Sequence, residues 1–84
     1  MPYVYLLLCS DNSYYTGWTT DLEHRVSQHA AGKGGRYTRA HLPVRLAYSE
    51  TLPTQREAMQ REWALKRYSH EEKKSLADGW KQPE

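Results

Sequence analysis

Eighty-four residues allow one hydrophobic core and no second, because a chain this short buries only about two-thirds of the surface it exposes when unfolded. Whatever the protein does must come from side chains arranged around that core. No stretch approaches the roughly 18 apolar residues of a membrane span. The apolar run from Tyr3 to Cys9 has neither the basic start nor the length of a secretory leader. The expectation is a soluble, cytoplasmic protein without a membrane role. Cys9 is the only cysteine, which rules out an internal disulfide and a zinc site of the usual Cys/His spacing. It reads as a buried strand residue.

The formal net charge is only +2, yet no acidic residue occurs between Glu23 and Glu50. That interval holds Arg25, Lys33, Arg36, Arg39 and Arg45 with His24, His29 and His41. A surface positive over so long a segment suits a polyanion, DNA or RNA. A solvated basic face with no ligand explains the same pattern equally well.

Tyr3 to Leu8 is rich in aromatic and aliphatic residues, and Ser10-Asp11-Asn12-Ser13 supplies turn chemistry before Tyr14-Tyr15-Thr16-Gly17. This predicts a hairpin. Thr20 to Glu23 has the form of a capping box, and Leu22, Val26 and Ala30 recur every four residues up to Gly32, predicting a helix over about 21–31. Gly32 to Leu42 has no clear period and reads as a basic, mobile loop closed by Pro43. Val44, Leu46 and Tyr48 alternate with more polar positions as in a half-buried strand. Capping boxes at Thr54/Glu57 and Ser69/Glu72 then start a longer and a shorter helix, the last ending at Gly79. The predicted fold class is therefore α/β, a small three-stranded sheet in β-β-α-β-α-α order flanked by helices. The expectation is one domain over residues 1–79 with a loose tail at 80–84.

Three features could carry chemistry. On the second long helix, steps of 100° put Ala58, Met59 and Leu65 in one apolar arc, with Glu62 inside it. A carboxylate turned towards the core needs a cation, hydrogen bonds or a cleft rim, although Lys66, four residues on, would satisfy it as an ordinary ion pair. On the first helix Arg25 and His29 flank the Leu22-Val26 stripe. Arg offers a fork to phosphate oxygens and His can move a proton near neutral pH, but a boundary Arg beside a packed histidine fits as well. Finally, the chain has seven tyrosines and no phenylalanine. That bias suggests hydroxyls used for hydrogen bonding or rings used for stacking, or simply interface-type packing.

Taken together, Tyr3-Val4-Tyr5, Tyr15-Thr16-Gly17, then Arg25 and His29 on one helix and Glu62 on a later one resemble the GIY-YIG nuclease domain. The resemblance covers about Tyr3 to Leu76 and is closest to the small stand-alone bacterial members. Tyr3 stands where the family name has glycine, while Tyr5, Tyr15 and Gly17 match its tyrosines and final glycine. The resemblance implies a metal-dependent endonuclease that hydrolyses phosphodiester bonds in DNA or RNA, of the kind used in DNA repair. Tyr5, Tyr15, Arg25, His29 and Glu62 would be catalytic, with Glu62 holding one Mg²⁺ or Mn²⁺. Lys33, Arg36, Tyr37 and Arg39 would contact nucleic acid, with branched or single-stranded DNA preferred.

The resemblance also makes a demand on the hairpin. A two-residue turn at Asp11-Asn12 would pair Leu8 with Tyr15 and send Tyr5 and Tyr15 to opposite faces. A shared site needs an odd-membered connection that places them diagonally, roughly 7 to 8 Å apart.

Many family members carry an asparagine late in the helical region, and the only asparagine here is Asn12. This departure supports a rival reading, a nucleic-acid-binding module without cleavage. A second rival is a protein-interaction domain with Trp18, Trp63 and Trp80 as exposed anchors.

Overall fold

The strand Tyr3–Leu8, β1, is buried along nearly its whole length, with Val4, Leu6 and Leu7 at 0% exposure and Tyr5 at 1%. A strand covered on both faces must sit in the middle of a sheet between two layers. The computed structural model, which describes residues 1–80, shows that arrangement. β2 (Tyr14–Thr19) and β3 (Arg45–Thr51) flank β1, both antiparallel to it, in the order β2-β1-β3. Residues 81–84, most of the expected tail, lie outside the described residues. Trp80 is not loose: its N–H donates to Ala77 O and its ring meets the edge of Tyr48 at 6.4 Å.

One face of the sheet carries Tyr5, Leu7, Cys9 and Val44, covered by Leu22 and Val26 of helix α1 (Leu22–Ala30). The other carries Val4 with Trp18 and Leu52, covered by Ala58 and Leu65 of α3 (Gln55–Lys66) and Leu76 of α4 (His70–Asp78). Between α1 and β3 lies a short helix, α2 (Arg36–Ala40), so the element order is β-β-α-α-β-α-α. The three-stranded α/β reading holds, with one helix more than the sequence pattern suggested.

Gly32 to Leu42 is not the mobile loop its composition suggested. Gly32 ends α1 at φ 81°, in the left-handed region that favours glycine. The segment then folds back so that Thr38 is fully buried. Three bonds fasten it to the hairpin: the Tyr37 hydroxyl donates to Ser13 Oγ, Ser10 N–H donates to His41 O, and His41 Nε2 lies 3.4 Å from Asp11. All of these partners are distant in sequence, which is why no local period announces the helix.

Smaller departures have equally physical causes. The cap of α1 is Asp21, which accepts from His24 N–H, while Thr19 Oγ1 accepts from Asp21 N–H, so the cap lies one residue beyond Thr20. Cys9 is buried but lies just past β1, in the hairpin connection. On α3 Met59 is 52% exposed. The third inward position is taken by Arg61, whose guanidinium donates to both Glu50 oxygens, to one of them through Nη2 at 2.9 Å, and reaches the Tyr68 hydroxyl. Burial alone would raise the Glu50 carboxyl, and the Arg61 and Tyr48 bonds bring it below its ordinary value instead. Of the three tryptophans only Trp63 is exposed, at 63%; Trp18 and Trp80 are half-buried, so the picture of three exposed anchors fails.

Candidate active site

The hairpin brings the two tyrosines together. Leu8 faces Tyr14 and Leu7 faces Tyr15, which leaves an odd-membered connection from Cys9 to Ser13, with Asn12 in the left-handed conformation at φ 69°. Cys9 N–H donates to Ser13 O and Asn12 N–H to Cys9 O, closing the turn. Tyr5 faces Gly17 and lies diagonal to Tyr15 on the same face, ring centroids 6.5 Å apart. The Tyr5 ring lies across Gly17: a Cβ there would stand 2.5 Å from the Tyr5 hydroxyl. Glycine at this position is a space requirement, which lets the phenol cross the edge strand.

Beyond Gly17 the Tyr5 hydroxyl meets His29 Nε2 at 3.0 Å, and His29 Nδ1 meets Thr38 Oγ1 at 2.8 Å. Thr38 Oγ1 in turn donates to Gly35 O at 3.5 Å. With its proton spent there, Thr38 accepts from Nδ1–H, and Nε2 accepts from Tyr5. The imidazole is fully buried and packs so closely on Gly34 that a Cβ at that residue would collide with its ring. Burial first, then the Arg25 charge, lowers the His29 pKa from 6.5 to about 4, and burial raises the Tyr5 phenol to about 12. The pair is therefore neutral at pH 7, one proton donor bound to one proton acceptor.

This predicts an acid-sensitive fold. Between pH 6.5 and about 4 the unfolded chain binds a proton at His29 and the native one does not, so stability must fall as pH drops through that window. The largest loss is about 3 kcal/mol. Urea unfolding at pH 7, 5.5 and 4 should show this decline, and His29→Gln should flatten it.

Arg25 is half-buried, one helical turn before His29. Its Nη2 donates to Gly34 O at 2.7 Å and its Nη1 to Gln28 Oε1 at 3.1 Å. These bonds hold the guanidinium close enough to Tyr5 and His29 that its charge is felt at both. Glu62 approaches from the other layer: α3 packs on the β1-β2 side of the sheet, and the Glu62 charge also reaches Tyr5. Its side chain is 22% exposed, and its carboxylate makes no hydrogen bond among the described residues, with Lys66 Nζ 3.8 Å away. The ion pair with Lys66 is thus present but long, and it leaves the carboxylate oxygens free for another cation.

The candidate residues therefore lie around β2, an edge strand of the sheet, with Tyr5, Tyr15, Arg25 and His29 on the α1 side and Glu62 on the α3 side. Among the described residues no three His, Cys, Asp or Glu side chains form a ready-made metal cage. Lys33, Arg36 and Arg39 are exposed around α2. Tyr37 is 41% exposed, but its ring is stacked on His41 at 4.3 Å and on Tyr15 at 6.2 Å. Its ring and hydroxyl brace α2 against the hairpin. Sequence reasoning missed Thr38, because a threonine among basic residues carries no signal of its own. It also read Gly34 as part of a mobile loop, whereas the residue packs on the His29 ring and its carbonyl accepts from Arg25.

A family model described as the GIY-YIG catalytic domain matches residues 1–75. A UPF0213 protein of Halobacterium salinarum is 46% identical over 76 residues, which span 90% of this chain and 99% of that protein. The solution NMR structure of a UPF0213 protein from Bacillus halodurans is 44% identical, with a TM-score of 0.57 over 93% of this chain and 84% of that one. A second solution structure, of an E. faecalis protein, is 34% identical with a TM-score of 0.58, covering 98% of this chain and 92% of that one.

Proposed function

The chain belongs to the GIY-YIG nuclease family, and from that premise we propose that it is a metal-dependent, structure-selective endonuclease that hydrolyses phosphodiester bonds in DNA. The observation that carries the reading is the buried Tyr5-His29-Thr38 hydrogen-bond chain, whose phenol feels the charges of Arg25 and Glu62. Glu62 suits a single divalent ion, Mg²⁺ or Mn²⁺, because its carboxylate is half-shielded, without a hydrogen bond among the described residues and only loosely paired. Such an ion supplies Lewis-acid polarisation of the phosphoryl group and charge compensation for the leaving oxygen.

The chain's own residues account for the rest. A phenol pushed up to about 12 is no standing phenolate. Tyr5 acts as base by relay: its oxygen takes a proton from the attacking water while its own proton passes to His29 Nε2. As the water oxygen bonds to phosphorus, the bond to the leaving ester oxygen breaks, and that oxygen takes its proton from solvent. Arg25, held by Gly34 O and Gln28, compensates the charge that grows on the phosphoryl oxygens. Tyr15, against both Tyr5 and His29, helps orient the water.

Selectivity for structure follows from the layout. α1, α3 and α4 spend their apolar faces on the sheet, and α2, five residues long, is tied to the hairpin and to His29, so no long helix among the described residues is free to read a major groove. Exposed Lys33, Arg36 and Arg39 contact phosphates without regard to sequence. Equal-length single-stranded, flapped, nicked and intact duplex DNA, incubated with Mn²⁺ or with chelator, should be cut in the first three, spared in the last and untouched under chelation. Binding without cleavage under every divalent ion would instead identify a binding module, the reading that the absent late asparagine favours. Cleavage set by duplex sequence and indifferent to ends would refute structure selectivity.

A further inference from the structure

Next to the site, at the unpaired edge of β2, lies a groove of about 330 Å³ lined by Tyr14, Tyr15, Thr16, Tyr37, Lys66 and Lys73. Three features of it call for a ligand. Thr16 is only 4% exposed, and its Oγ1 is the one buried side-chain polar atom among the described residues with no hydrogen-bond partner. Such atoms are rare, since a buried hydroxyl gives up water for nothing. Lys66 and Lys73 come from different helices, α3 and α4, and converge on this groove. Burial lowers the Lys73 ammonium, and the nearby Lys66 charge lowers it further. Among the described residues Lys73 forms no ion pair, and the only carboxylate near Lys66 is Glu62 at 3.8 Å. Two ammonium groups lining the same groove as an unsatisfied hydroxyl offer three donor groups to one anion.

We infer that this groove binds a second backbone phosphate of the nucleic-acid strand, adjacent to the one being cleaved. Tyr15 belongs both to the groove wall and to the catalytic cluster, so a strand leaving the site along the β2 edge passes directly over Lys66 and Lys73. The two ammonium groups bracket the phosphate, and a turn of the Thr16 side chain about χ1 brings its unsatisfied Oγ1, buried in the unliganded chain, to a phosphate oxygen. The inference rests on the nuclease reading for its choice of ligand, while the groove's affinity for phosphate can be measured without any cleavage.

The test uses the full chain. Amide NMR during titration with inorganic phosphate should shift Thr16, Lys66 and Lys73 in the wild type and leave them still in the Lys66→Gln/Lys73→Gln double variant. Anisotropy titrations of a single-stranded oligonucleotide under chelation should show Lys73→Gln lowering the slope of log K against log salt by about 0.7, the value for one phosphate contact on a single strand. Thr16→Val, nearly isosteric, should weaken binding while keeping the fold. Unchanged salt slopes, with no phosphate response at these amides, would overturn the subsite even if the protein cuts DNA. Conversely, a phosphate response in a protein that cuts nothing with any divalent ion would keep the subsite and discard the nuclease.

Discussion

Glu62→Gln should abolish divalent-ion-dependent cleavage while barely moving the unfolding midpoint. The change keeps the side chain's shape and removes the α3 carboxylate whose charge reaches Tyr5. Its loss of stability is bounded by what it gives up, a 3.8 Å pair with a lysine that is 56% exposed. Such i,i+4 pairs contribute at most about 0.5 kcal/mol. The loss of activity is larger, about 10² to 10³-fold or more, the scale seen when one charge-stabilising group leaves a preorganised site. Thermal unfolding and single-turnover cleavage of the same preparation separate the two roles. A variant that melts several degrees early and still cuts normally would show that Glu62 serves α3 rather than the reaction.

A methyl group at Gly17 or Gly34 should be as damaging to cleavage as a change to Tyr5 or His29 itself. At Gly17 the new Cβ would meet the Tyr5 hydroxyl at 2.5 Å, and at Gly34 it would strike the His29 ring. Neither ring can simply swing aside, since Tyr5 is 1% exposed and His29 fully buried. The backbone must give way, at a cost of about 1–3 kcal/mol typical of overpacking. Because the Tyr5-His29 bond is only 3.0 Å long, a displacement of about 1 Å breaks it, and misplacement of that size can cost about 10²-fold in rate. Gly79→Ala is the control, since a Cβ there meets nothing closer than 3.7 Å. Its cleavage should match the wild type while Gly17→Ala and Gly34→Ala lose theirs. Equal activity in all three would mean that the rings are free to reposition.

Much of this molecule was legible before any coordinates. The Ser69/Glu72 capping box is present in both directions, Thr54 caps α3 through Glu57 N–H, and Gly79 closes α4. The alternation from Val44 to Tyr48 becomes β3. These features depend on residues within one turn or one strand of each other, so their physics is written in short windows of sequence. The parity of the hairpin was inferred from chemical need, because Asp11-Asn12 alone favoured the other register.

What the tertiary structure decided lies at longer range. Whether Met59 or Arg61 turns inward on α3 depends on Glu50, eleven residues away on β3. Whether Gly32 to Leu42 is ordered depends on Ser10 and Ser13 in the hairpin. The neutrality of His29 depends on being enclosed by Tyr5, Gly34 and Thr38 at once. Local sequence names the residues that can do chemistry, but desolvation and charge are properties of the space between elements. Only the packing of α1, α2 and the hairpin around one imidazole creates that space.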